Sequence, residues 1–189
     1  HRNFHLLGNI SVERIFVELS KLICGKDAGR ILREYEDVIF FILPDGTRMM
    51  VDAGDLGDPS RWKHKEIMPA VPNDSKRPAE WIARYVEHFS KPLNKELYID
   101  YLVISHFDSD HIGYCDHTAL TVEGKPYKYT GVTHLGNILP IHTLIDRGYP
   151  NYDYPSKEIM DKKRNQLSFP NYRLYVEERD RLGMKNEQF

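Results

Sequence analysis

The sequence predicts an α/β layered protein, because strand-like apolar runs alternate with a helix-like amphipathic segment. Three observations carry this. Asp37 to Leu43 (DVIFFIL) is a near-continuous β-branched and aromatic run. Trp81, Ile82, Tyr85, Val86 and Phe89 recur at helical spacing. Tyr98 to Ser105 (YIDYLVIS) is apolar almost throughout, as suits a strand covered on both faces.

The elements follow in order. After Leu43 comes Pro44-Asp45-Gly46, a turn tripeptide in which Pro fixes φ and Gly supplies φ > 0. Arg48 to Val51 resumes an apolar run, so the pair reads as a hairpin of two buried strands, closed by Asp52-Ala53-Gly54. Asp55 to Arg77, rich in Pro, Asp, Ser and Lys, reads as a long surface loop. Pro78 suits a first helical position and Pro92 a stop, which predicts a helix over Pro78 to Phe89. Thr121 to Glu123 and Tyr127 to Thr133 flank Gly124-Lys125-Pro126 and read as a second hairpin. Tyr149 to Pro155 carries too many turn residues for regular structure. Ser156 to Asn165 and Tyr172 to Leu182 read as charged helices whose runs (Lys162, Lys163, Arg164; Glu177, Glu178) form solvated faces. Another strand could start near Met184.

Composition narrows the function classes. The chain has 189 residues, 41% hydrophobic and 29% charged, with a formal net charge of −2. That is the balance of a globular domain and not of a disordered tail, and no basic excess advertises nucleic acid. No apolar run reaches the roughly 20 residues of a membrane helix. The expectation is a soluble protein, with a cytoplasmic or periplasmic location left open. Cys24 and Cys115 lack CxxC spacing and read as free thiols.

The chemistry concentrates at the end of the third strand, in Ile104-Ser105-His106-Phe107-Asp108-Ser109-Asp110-His111-Ile112-Gly113. Four metal-competent side chains fall within six positions. His106, Asp108 and Asp110 alternate, so an extended chain would project them to one side. His111 joins them only if the chain turns after Asp110, which Gly113 makes plausible. Imidazole and carboxylate together suit divalent transition metals. The alternative for the same residues is a polar, solvated loop without an ion.

His-x-Asp-x-Asp-His at the end of an apolar strand resembles the signature of the metallo-β-lactamase superfamily. The Asp108 form, with Leu43-Pro44-Asp45-Gly46 and Val51-Asp52-Ala53-Gly54 upstream, is similar to the hydrolase domain of bacterial competence DNA-uptake proteins. The similarity covers residues 37 to 113 and extends more weakly to 148. It implies a metallo-β-lactamase-type αββα sandwich, a single domain over 1–189, and a metal-dependent hydrolase using a metal-bound hydroxide. The implied cofactors are two divalent ions, zinc or manganese. His106 and Asp108 would hold the first, Asp110 and His111 the second. Asp110 would also orient the attacking water, and Asp52 would brace the loop from behind. In a complete protein Mn²⁺ is expected to support activity at least as well as Zn²⁺, because Asp108 in place of an imidazole hardens the ligand set.

The implied substrate is a phosphodiester, nucleic acid among them. A thioester, lactone or lactam is the rival, and a non-catalytic binding module with a partial metal site is the reading from another class. Two departures matter. The first strand lacks the family's Gly-Gln-Gly-Asp-like segment, with only Gly25-Lys26-Asp27-Ala28 in its place. The family also takes later ligands, a His, an Asp and another His, whereas this chain has only His117, His134 and His142 after His111. The chain is therefore expected to be the N-terminal part of such a sandwich. Metal would then bind weakly, and open strand edges would invite a homo-oligomer.

Overall fold

A computed structural model describes residues 38–57, 73, 75–94 and 96–189. All of these except Phe189 belong to one compact unit, Ile31–Gln188. Cys24, the Gly25–Ala28 segment and most of the expected Asp55 to Arg77 loop lie outside the described residues.

Pro44-Asp45-Gly46 makes the expected turn. Gly46 adopts φ 82°, and the Leu43 N–H closes on the Thr47 carbonyl at 2.8 Å. It joins β1 (Ile39–Ile42) to β2 (Arg48–Val51), paired antiparallel with Ile39 opposite Val51. Helix α1 (Pro78–Ser90) follows, with the Glu80 carboxylate accepting the Arg77 N–H at 2.8 Å. Strand β3 (Ile99–Ile104) then runs parallel to β2, and α2 (Ser109–Ile112) is a single turn after it. Next come α3 (Gly131–Ile138), β4 (Ile141–Asp146), α4 (Lys157–Arg164), α5 (Ser168–Arg181) and β5 (Lys185–Gln188). The sheet is five-stranded, in the order β1-β2-β3-β4-β5, parallel except for the β1–β2 pair. This is a mixed α/β architecture with helices against the sheet.

Register explains which face is covered. Met50 pairs with Leu102, and Leu102 with Leu144, so the three share one face, where they join the buried core with Ile82, Val86, Val132, Leu135 and Val176. In the adjacent row Met49 pairs with Tyr101 and Tyr101 with Thr143, and Tyr101 is 38% exposed.

Several expectations are corrected. β1 is not a buried strand, since Ile39 and Ile42 are exposed. The second hairpin shrinks to one isolated bridge, Thr121 with Lys128. Residues from Gly131 on are helical instead, because Thr130 caps the helix and its N–H donates to Thr133 Oγ1 at 2.8 Å. α5 begins four residues before Tyr172. The charge runs are not uniformly solvated either. Lys163 is turned inward, and Glu178 is buried between Lys125 and Arg181. Tyr149 to Pro155 is irregular, as expected, around two cis X-Pro bonds.

Candidate metal centre

The site sits where β2 and β3 end side by side. Val51 pairs with Val103, and the next residue on β2's path, Asp52, takes a left-handed conformation at φ 58°. Aspartate tolerates that region better than most residues. The turn swings its carboxylate over the end of β3. Asp52 Oδ1 accepts the Ser105 N–H at 2.8 Å, and Oδ2 accepts the Ser105 hydroxyl at 2.6 Å. Oδ2 also lies 2.8 Å from His111 Nδ1.

The backbone of the loop is pressed onto the same segment. The Ala53 N–H donates to the His111 carbonyl at 3.0 Å, and the Tyr114 N–H to the Asp55 carbonyl at 2.6 Å. A Cβ on Gly54 would stand 1.8 Å from the Asp110 carbonyl oxygen, and one on Gly131 would stand 1.9 Å from that of Ala53. Only glycine permits these approaches, which explains the Asp-Ala-Gly segment after β2. Phe107 anchors the loop from below, 5.0 Å from the Phe169 ring and 5.7 Å from those of Tyr152 and Tyr172. Both tyrosine hydroxyls donate to buried Asp146, at 2.9 and 2.6 Å. The same carboxylate accepts the Gly148 and Tyr149 N–H groups.

The proton arrangement of the two imidazoles follows by elimination. A carboxylate only accepts, so Ser105 spends its single hydroxyl proton on Asp52. Ser105 Oγ, 3.1 Å from His106 Nδ1, must then accept a proton from that nitrogen. His111 Nδ1 likewise donates to Asp52. In their neutral forms both rings therefore carry the proton on Nδ1 and the lone pair on Nε2. Burial, and then the neighbouring His111, hold the His106 pKa below its ordinary value, which favours that neutral form. The ring centroids of His106 and His111 are 3.7 Å apart.

His106, Asp110 and His111 each offer a ligand atom, and these lie within 4.8 Å of one another. His111 Nε2 faces Asp110 Oδ2 at 3.8 Å, and His106 Nε2 faces Asp108 Oδ2 at 3.6 Å. Lone pairs facing carboxylate oxygens with no proton between them suit a cation, so the donor set fits a divalent ion. The expected alternation does not place all four candidate ligands alike. Asp108 is the N-cap of α2, so the chain turns there; Asp110 and His111 enter on the helix, while Asp108 Oδ1 meets Lys163 Nζ.

The remaining candidates stand outside this group. His117 is exposed, His142 is exposed and stacks on Tyr98 at 4.0 Å, and His134 packs on Tyr129 at 4.8 Å. Cys115 is a buried free thiol and not one of the three donors. Two residues of the site escape a reading of the motif alone. Ser105 carried a local signal, as the polar residue between strand and first histidine. Lys163 carried one only in its spacing from Met160, which is buried.

No described helix is long and apolar enough to cross a membrane. No curated protein and no solved structure matches the chain. One family model does match, over residues 1–41, and its description is a probable RNA and SrmB-binding site of polymerase A. That stretch ends on β1 and includes none of the candidate metal-binding residues.

Proposed function

We propose that this chain is a metal-dependent hydrolase of the metallo-β-lactamase type acting on phosphodiesters, with RNA as the favoured polymer. The observation that carries the reading is the convergence of His106, Asp110 and His111 above an Asp52 carboxylate that fixes His111 by its far nitrogen. Carboxylate–histidine pairs of this kind orient metal ligands and raise their basicity. His106, Asp110 and His111 would hold the ion. A bound divalent ion supplies Lewis acidity and lowers the pKa of a coordinated water.

The chain's own residues do the rest. Asp52 and Ser105 keep both imidazoles in the Nδ1–H form. Asp110, whose side chain is half exposed, can accept a proton from an attacking water. The phosphodiester class rests on the resemblance of the ligand motif, and RNA on the family match over residues 1–41. The α/β sheet with its site at the ends of β2 and β3 accords with this reading.

The test is a panel assayed with Mn²⁺ and with Zn²⁺: bis-p-nitrophenyl phosphate, a single-stranded RNA, a thioester, a lactone and a chromogenic lactam. Metal-dependent turnover of the phosphodiester and the RNA is expected. Turnover of the thioester, lactone or lactam alone overturns the substrate class. Metal binding without turnover of any of them favours the binding-module reading, which the withdrawal of Asp108 from the donor group supports.

A further inference from the structure

We propose that the Lys163 ammonium takes the place of a second metal ion at this centre, so that the site holds one divalent ion and not two. The inference rests on the metal-centre reading above.

Four residues of the motif can ligate, yet only His106, Asp110 and His111 converge. Asp108 is drawn off because its Oδ1 meets Lys163 Nζ, 55 residues away in the chain. The lysine is aimed there by its helix. Met160, three residues earlier on α4, is 1% exposed, and residues three apart share a helix face. The side chain of Lys163 is 24% exposed, against 73% for neighbouring Lys162, which points outward to Glu158. Arg164 ties the same turn to the Tyr152 carbonyl at 3.0 Å.

Charge gives the same answer. Asp52, Asp108 and Asp110 place three carboxylates around two imidazoles, and Lys163 offsets one of them. One divalent ion neutralises what is left. A second ion would need Asp108 and His106, which face each other at 3.6 Å, and would then lie against an ammonium that already holds Asp108. Two cations held on one carboxylate repel each other. Removing the ammonium should free Asp108 and open a second position.

The experiment counts Mn²⁺ bound to the full 189-residue chain by equilibrium dialysis and elemental analysis, with electron paramagnetic resonance to detect spin coupling between paired ions. The proteins are the wild type, Lys163→Met, Lys163→Arg and the double variant Lys163→Met with Asp108→Asn. Expected are one equivalent in the wild type and in Lys163→Arg, two coupled ions in Lys163→Met, and one again in the double variant. Two equivalents in the wild type, or one in a Lys163→Met protein that melts like the wild type, overturn the inference and leave the metal centre standing. No bound ion in any of the proteins overturns the metal centre itself, and this inference with it. The wild-type count decides the matter even if the Met variant fails to fold.

Discussion

His111 Nδ1 lies 2.8 Å from Asp52 Oδ2, so a residue at the end of one strand fixes the ring of a candidate metal ligand at the end of the next. Asp52→Asn retains the shape and tolerates the left-handed φ of 58°, but it removes the charge behind the imidazole. Loss of such a partner typically weakens metal affinity by about 10–100-fold. Chelator competition with Mn²⁺ should show a loss of that order with the circular dichroism spectrum unchanged. Wild-type affinity in Asp52→Asn would remove Asp52 from the centre.

Gly54 is pinned by backbone and not by flexible side chains, with the Asp110 carbonyl oxygen 1.8 Å from where a Cβ would stand. Gly54→Ala must push the ligand loop away from β2. Overpacking of this kind costs roughly 1–3 kcal/mol, and here the displaced atoms belong to a candidate ligand, Asp110. The variant should melt lower and bind Mn²⁺ more weakly, read by calorimetry. Unchanged melting and binding would show that the loop approaches less closely.

Glu178 links two parts of the fold that the sequence keeps far apart. It accepts Arg181 at 2.6 Å and Lys125 at 2.9 Å, and these partners, Arg181 first, hold its pKa down to about 2. An unfolded glutamate titrates near 4.3. A carboxylate depressed on folding contributes stability that is complete above the unfolded value and is lost as pH falls through the folded one. Glu178→Gln should therefore flatten the loss of stability between about pH 4.5 and pH 2, followed by urea unfolding across that range. Parallel wild-type and variant curves there would mean that the pair contributes nothing on folding.

How much of this was legible in the sequence depends on how local the signal is. β1, β2, α1 and β3 were readable because a Pro-Asp-Gly turn, helical periodicity and an apolar run each act over a few residues. α3 was not, because Tyr127 to Thr133 is rich in strand-forming residues. The Thr130–Thr133 cap and the backbone contact of Gly131 with Ala53 decided for helix. β5 falls where a strand start was expected near Met184, and its polar sequence KNEQ is held there by the edge that β4 offers. At the candidate centre, the motif pointed to side chains of which His106, Asp110 and His111 do converge, and the resemblance pointed to Asp52, which contacts His111. The diversion of Asp108 could not, since it depends on a lysine brought in by a helix 55 residues later.

The most direct test of the account is the Mn²⁺-dependent hydrolysis of bis-p-nitrophenyl phosphate by the wild type and by Asp110→Asn, each stripped with chelator and reloaded. In the proposed function Asp110 is a donor of the cluster and accepts the water's proton, while its half-exposed side chain contributes little to folding. Turnover in the wild type should vanish with chelator and return with Mn²⁺. Turnover should fall at least about 100-fold in Asp110→Asn, with an unchanged melting temperature. Turnover that survives chelation, or near wild-type turnover in Asp110→Asn, would contradict it.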